Sequence, residues 1–392
     1  VRILFLTSRL PYPPVRGDRV RTFSFLRAFA ERHDVHLVSF VEGADELSRA
    51  GPLTSLARVD TVALSRSASM VNMGAALLSP RPYQLHYYRS RAMRTAVARA
   101  LEADSYDLVY VHLFRMAPFA LRPDGRPAHR SSVVDLTDSI STELALSVPR
   151  RPPLVRPAYR WEAAKVRRYE RFVAERFGEI WVISEADRAA ILELAPSANV
   201  VVVPNGVDER LFALRRPAAP EPVVLFVGNL TIPHNVDAVD LLASEVMPRV
   251  REEVPGAALR VVGHSPSRRI RDLAARFDFD LAGFVPEITD AYRGGAVFAA
   301  PLRFAAGVQN KVIEAMAAGI PVVTSPIGNR GIGASEGEGL VVADGPEAFA
   351  GAVTALLRDH GRAAAIGERG RSLVRERYRW ELAVERAEAV AG

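Results

Sequence analysis

Val223-Val224-Leu225-Phe226-Val227-Gly228 restates the opening of the chain, Arg2-Ile3-Leu4-Phe5-Leu6-Thr7. Each is a short apolar run followed by a turn-rich loop and then a helical pattern. The first loop is Ser8–Gly17. The second runs through Pro233 to a helix from about Asn235. After each opening, apolar strands alternate with amphipathic helices. In the first half strands are expected at Val35–Phe40, Val59–Leu64, Leu108–His112, Ser132–Leu136, Ile180–Ser184 and Val200–Val203. In the second they fall at Leu259–Gly263, Leu281–Val285, Val297–Ala300, Pro321–Thr324 and Leu340–Val342. Continuous apolar strands between amphipathic helices make parallel sheets covered on both faces. The expected fold class is α/β, with two tandem Rossmann-like, doubly wound parallel-sheet domains facing a central cleft. Ligands bind such sheets at the carboxyl ends of the strands.

Pro204-Asn205-Gly206-Val207-Asp208 punctuates a turn, and Arg216–Pro222 is a stiff, Pro-rich linker. The expected domains are therefore 1–208 and 209–378. The remainder, 379–392, carries a helix over about Trp380–Val390 that crosses back to the first domain. A second Pro cluster, Pro149–Pro157, precedes a long charged helix, about Tyr159–Phe177.

With 392 residues, 49% apolar and 24% charged, the composition is that of an ordinary globular protein. The chain has no cysteine, which excludes disulfides, thiol catalysis and cysteine-bound metals. No apolar run approaches the roughly 18 residues that span a bilayer. The N-terminal run is too short for a signal-peptide core and reads as a first strand, so a cytoplasmic protein is expected. Net charge is +6, and nearly all of the basic residues are Arg. Such a surface suits nucleotides, anionic membranes or nucleic acid. An Arg-rich proteome produces the same bias, and no aromatic-studded basic stripe points to nucleic acid.

The chemistry concentrates in Gln309-Asn310-Lys311-Val312-Ile313-Glu314-Ala315-Met316-Ala317-Ala318-Gly319, followed by the apolar Ile320–Val323. It reads as a helix that stops at Gly319 and a buried strand that starts at Pro321. Lys311 and Glu314, three apart, share a helix face. A cation and a carboxylate presented together suit a ligand carrying both phosphate and sugar hydroxyls. The plainer alternative is a surface charge pair, which the apolar Val312, Ile313 and Ala315 argue against.

These residues resemble the donor-site motif of the GT-B glycosyltransferases, within them the large retaining family called GT4. Pro204–Asp208 resembles that family's interdomain signature, Phe226-Val227-Gly228 the opening of its donor domain, and Ala282-Gly283-Phe284-Val285 its mid-domain strand. Leu10–Pro14 before Gly17-Asp18, Tyr87–Ser90 and Asn235–Val239 are similar to exopolysaccharide-type sugar transferases.

The resemblance implies a nucleoside-diphosphate sugar as donor, a hydroxyl acceptor, retention of configuration and no metal. Glu314 would bond the ribose hydroxyls, since a carboxylate accepts two hydroxyl donors. Lys311 would stabilise the leaving diphosphate, joined by backbone N–H groups of the helix start at Gly307, Val308, Gln309 and Asn310. Gly228, Asn229 and Arg303 would complete the donor side. Gly17 would let the backbone approach the donor phosphates and the acceptor; Arg16, Arg19 and Arg21 could face phosphate or simply start a solvated helix, and Asp18 could cap it. His112, at a strand's carboxyl end, would sit near the reacting carbon, with Asp138 and Asp135 as further acceptor contacts.

Three positions depart from the family pattern. Asn229 and Asn235 stand where many relatives carry Arg and Lys, and Ala306 where many carry an acid that touches the donor sugar. Phosphate neutralisation then rests on Lys311 and Arg303. A nucleotide-sugar epimerase or hydrolase of the same fold, or a non-catalytic nucleotide-sugar binder, are the alternatives. Asp278-Phe279-Asp280 has the form of a metal-binding acid pair but is expected to be a surface turn. Met70–Arg94 mixes apolar residues with Arg81, Arg89, Arg91 and Arg94. Such a face suits peripheral contact with an anionic membrane and a lipid-linked acceptor; a plain helix pair with exposed Arg is the preferred reading.

Overall fold

Two all-parallel sheets organise the chain, a seven-stranded one and a six-stranded one. The computed structural model describes residues 1–14, 17–48, 50–76, 79–217, 220–305, 307–335 and 337–392. Arg16 and Ala306 lie outside the described residues. The chain divides into two units, one formed by Val1–Pro204 with Trp380–Gly392, the other by Asn205–Arg379.

Unit 1 contains β1 (Arg2–Thr7), β2 (Asp34–Val41), β3 (Arg58–Ala63), β4 (Leu108–His112), β5 (Ser132–Thr137), β6 (Glu179–Val182) and β7 (Val200–Val202). Their order across the sheet is β3-β2-β1-β4-β5-β6-β7. Unit 2 contains β8 (Val223–Val227), β9 (Ala258–Val262), β10 (Asp280–Gly283), β11 (Val297–Ala300), β12 (Val322–Thr324) and β13 (Leu340–Val342), in the order β10-β9-β8-β11-β12-β13. Every strand expected from the sequence is present. Strands such as β4 and β11 are buried at every position, as helices on both faces require. In each sheet the order reverses beside the first strand, between β1 and β4 and between β8 and β11. Ligands of open parallel sheets bind at such points, outside the carboxyl ends of the strands.

Helix starts differ from expectation for one reason. The long helix begins at Arg156 and the helix after β8 at Pro233, both earlier than read, because Pro157 and Pro233 sit in the first helical turn. A proline there lacks only an N–H that would be unpaired anyway. The segment Met70–Arg94 is not one helix pair. It spans the end of Arg66–Ala76, the short helix Tyr83–Tyr87, and the start of Arg91–Ala103, which Ser90 caps. Asp278 ends a helix at φ 48° and Asp280 opens β10, where it pairs with Arg260 at 3.4 Å. That geometry is a turn. Among the described residues no helix is long and apolar enough to cross a membrane.

The last helix, Glu381–Ala391, packs into unit 1. Trp380, Ala383, Val384 and Ala387 join the core around Phe25 and Phe29. The Trp380 ring meets Phe25 edge-on at 5.8 Å, and Arg386 pairs with Glu179. Trp380→Ala is expected to destabilise unit 1 by about 3 kcal/mol, the lower end for deleting a large buried aromatic. A chemical-denaturation midpoint that does not move would contradict this.

Candidate active site

The donor-side residues cluster at the carboxyl ends of β8 and β11. Gly228 and Asn229 follow β8 directly. Gly263, at the end of β9, approaches Gly228 so closely that a Cβ there would lie 2.0 Å from the Gly228 carbonyl oxygen. Asn229 Oδ1 accepts from the Thr231 backbone N–H and hydroxyl, at 3.0 and 2.7 Å. Asn235 Nδ2 donates to the Asn229 carbonyl at 2.9 Å. Asn235 is buried, and its Oδ1 has no hydrogen-bond partner among the described residues. The two asparagines that replace the expected cations therefore shape this turn rather than supply charge.

After β11 the chain passes Arg303 and turns at Gly307, φ 62°. Val308 and Gln309 are buried, and the helix Asn310–Ala317 begins. Gln309, at the N-cap, makes no side-chain capping hydrogen bond among the described residues. Its other end is tied by two bonds: Gly319 N–H donates to the Met316 carbonyl and Ile320 N–H to the Ala315 carbonyl, with Gly319 at φ 70°. This is a Schellman ending, which needs a left-handed residue. It turns the chain directly into buried β12.

Lys311 and Glu314 share that helix, but they do not pair with each other. Lys311 Nζ donates to Gln309 Oε1 at 2.8 Å. Glu314 accepts from the Tyr292 hydroxyl at 2.6 Å. Burial pulls Lys311 down to about 8 against the opposing pull of Glu314. Burial raises the Glu314 carboxyl, although Tyr292 and Lys311 work the other way. Arg303 is exposed and held by Asp237, 2.9 Å from its Nε, so part of its charge is already compensated. His234 stands near Lys311 and packs edge-on to Phe304 at 6.3 Å. Burial, reinforced by Lys311, holds His234 neutral at about 4. Tyr292 and His234 escaped the sequence reading. His234 sits beside Asn235 in the first turn of the helix after β8, a stretch already singled out, whereas Tyr292 comes from a separate short helix, Ile288–Tyr292, and carries no local signal.

In unit 1, His112 ends β4 and is buried. Its two ring nitrogens have no hydrogen-bond partner among the described residues, and Nδ1 lies 3.7 Å from Asp135 Oδ2. Burial lowers its pKa, so the ring is neutral near pH 7. A carboxylate beside Nδ1 favours the proton on that nitrogen and leaves Nε2 as an acceptor. Asp135 itself is not available to a ligand. It accepts from Arg21 Nε at 2.7 Å, from the Tyr110 hydroxyl and from the Thr137 backbone N–H. Arg21, one of the arginines considered for phosphate, is buried in this pair and also donates to the Val203 carbonyl at 2.9 Å. Both residues are structural. Asp138 lies just beyond β5; burial, with Asp187 and Glu143 nearby, raises it to about 7, and its Oδ1 has no hydrogen-bond partner among the described residues. Gly17 begins the first helix after β1, so Asp18 lies inside the helix rather than at its cap. Arg19 pairs with Glu46 at 2.5 Å. Among the described residues no group of three or more His, Asp or Glu could hold a metal ion.

Residues 16–206 match the family model of the glycosyl transferase 4-like domain, and residues 221–359 that of glycosyl transferases group 1. The chain belongs to the GT4-like glycosyltransferases. A capsule-region protein of Klebsiella pneumoniae, uncharacterised, is 28% identical over 40% of this GT4-like chain and 42% of its own. A phosphatidyl-myo-inositol mannosyltransferase of Mycobacterium tuberculosis is 30% identical over 50% of this chain and 56% of its own. The chain thus spans about half the length of these relatives. Solved structures share the GT-B fold over nearly the whole chain. Sucrose-phosphate synthase from Thermosynechococcus elongatus aligns with a TM-score of 0.68 at 16% identity, covering 99% of this chain and 98% of the other. Anabaena Alr3699/HepE, solved in complex with UDP, also gives 0.68 at 16% identity, covering 99% of each.

The Arg21–Asp135 pair yields a stability prediction. Asp135 is held well below its ordinary 3.8 because Arg21 and His112 outweigh the cost of burial. Its contribution is fully present above that value and is lost as pH falls through the depressed folded one. Arg21→Leu leaves a buried carboxylate without its cation and should cost about 3–5 kcal/mol at pH 7. The loss should shrink on acidification. Equal destabilisation at pH 7 and pH 3 in urea titrations would contradict it.

Proposed function

We propose that this protein transfers a sugar from a nucleoside-diphosphate sugar to a hydroxyl acceptor, with retention and without a metal. The observation that carries this is the helix Asn310–Ala317. It presents a largely buried cation, a carboxylate and uncapped backbone N–H groups at a sheet's switch point. The carboxylate of Glu314, oriented by Tyr292, receives the ribose hydroxyls. Lys311 and the helix start face the diphosphate. Charge grows on that diphosphate as the glycosidic bond breaks, so cations already in place lower the barrier. The acceptor oxygen bonds to the anomeric carbon as the carbon–oxygen bond to the diphosphate breaks. The acceptor's proton passes to an oxygen of the departing diphosphate. His112 Nε2 accepts a hydrogen bond from a sugar hydroxyl near that carbon, and Asp138 is a further acceptor contact. Gly17, at the start of the helix that follows β1, lets the backbone approach the acceptor.

The names of similar proteins support a nucleotide sugar without choosing the base. Alr3699/HepE was solved with UDP-glucose, whereas a mycobacterial relative is named a GDP-mannose-dependent mannosyltransferase. The Klebsiella capsule-region relative and the phosphatidylinositol mannosyltransferases support a role in polysaccharide or glycolipid synthesis.

Thermal shift against nucleoside diphosphates and nucleotide sugars identifies the donor, because a ligand bound only by the native state raises stability. With that nucleotide, Glu314→Ala should weaken binding by about 1.5–3 kcal/mol, the value of a charged hydrogen bond; unchanged affinity by calorimetry removes Glu314 from the site. His112→Ala should lower turnover more than donor affinity, and wild-type turnover would sink its assignment. Rapid turnover of nucleotide sugar with no acceptor present would favour an epimerase or hydrolase instead.

A further inference from the structure

Unit 1 holds a cavity of about 610 Å³ that the donor chemistry does not use. It lies between the short helix Tyr83–Tyr87, the turn after β4 and the long helix Arg156–Ala174. One part of its wall is aromatic: Tyr88, Phe119, Tyr169 and Phe172. The rest mixes arginines with proline and leucine, and among the described residues no acidic residue lines it.

The arginines are distributed unevenly. Arg167 and Arg171 sit on the long helix with acid partners, Glu193 at 2.9 Å and Glu175 at 2.7 Å. Arg168, on the same helix but lining the cavity, has no such partner. Arg81, Arg89 and Arg94 line it as well, and among the described residues none of the four has a carboxylate within 4 Å. His86, also in the wall, has a buried Nε2 with no hydrogen-bond partner among the described residues. Lys165 contributes another positive charge from a buried position, although Glu162 pairs with it at 2.7 Å. Like charges gathered without counter-charge repel one another, and an anion relieves that repulsion. Guanidinium forks match phosphate oxygens two at a time. The volume falls in the usual range for a small-molecule site, and an aromatic wall takes an apolar body.

We infer that this cavity binds an amphipathic phosphate ester: a phosphate or diphosphate on Arg81, Arg89, Arg94 and Arg168, with an apolar body against Tyr88, Phe119, Tyr169 and Phe172. The inference is independent of the donor reading. Farnesyl diphosphate, inorganic diphosphate and farnesol are suitable probes for calorimetry on the full chain. Farnesyl diphosphate should bind more tightly than either fragment. The double substitution Arg89→Ala with Arg168→Ala should weaken it about tenfold or more, while Lys311→Gln, in the donor motif, leaves it unchanged. The arginines are exposed, so the variant should melt with the wild type. Arg89→Lys with Arg168→Lys should restore part of the affinity. Flotation with phosphatidylglycerol vesicles but not phosphatidylcholine vesicles, lost in the double alanine variant, would identify the phosphate as a lipid headgroup. Tight farnesyl diphosphate binding without flotation would identify a detached phosphorylated molecule. Farnesyl diphosphate binding that equals that of inorganic diphosphate, or that survives the double alanine substitution but not Lys311→Gln, overturns the inference.

Discussion

A strand covered on both faces has no room for an unpaired charge along its length. Burying an unpaired ion costs several kcal/mol, so β11 carries no charge, β4 carries none before His112, and polar chemistry collects where such strands end. In both units the strand order reverses beside the first strand. His112 stands at one switch point; Gly228, Lys311 and Glu314 stand at the other. Their placement follows from what the sheets refuse to contain.

The two switch points handle buried charge in opposite ways. Arg21 and Asp135 satisfy each other, with Tyr110 and backbone groups completing the set. A saturated pair of this kind holds structure and has no capacity left for a ligand. Lys311 and Glu314 are close enough to influence each other, yet each takes a neutral partner instead, Gln309 and Tyr292. Both ions are shifted towards neutrality by burial. Groups held in that condition gain most from a ligand that brings counter-charge to one and hydroxyl donors to the other.

Much of this was legible in the residues. β1, β4, β11 and β13 were read to the residue, because each is a short apolar run bounded by turn residues or charge. Gly319 was legible as a helix end because the Schellman turn needs a residue free to take positive φ. The helices start at Arg156 and Pro233, earlier than the expected Tyr159 and Asn235, because proline fits the first turn of a helix. The partners of the key charges were not legible. Tyr292 reaches Glu314 from a separate short helix, and Asp237 holds Arg303 across 66 residues of sequence. Periodicity reports which face a residue occupies; it is silent on which distant side chain meets it.

The asparagines at 229 and 235 sharpen the electrostatics of the donor side. Asn235 spends its amide on the Asn229 carbonyl, and Asn229 spends its oxygen on Thr231. Both therefore maintain the turn after β8 and bring no positive charge to it. Asp237, two residues beyond Asn235, draws on Arg303 as well. A diphosphate arriving here would meet Lys311 and the backbone N–H groups of the helix start as its main positive partners. His234, kept neutral beside Lys311, adds no competing charge. Burial pulls Lys311 down to about 8, and a phosphate beside it would favour the ammonium form. An exposed arginine already paired with Asp237 gains less from an added anion than a buried lysine whose Nζ is bonded to a neutral amide.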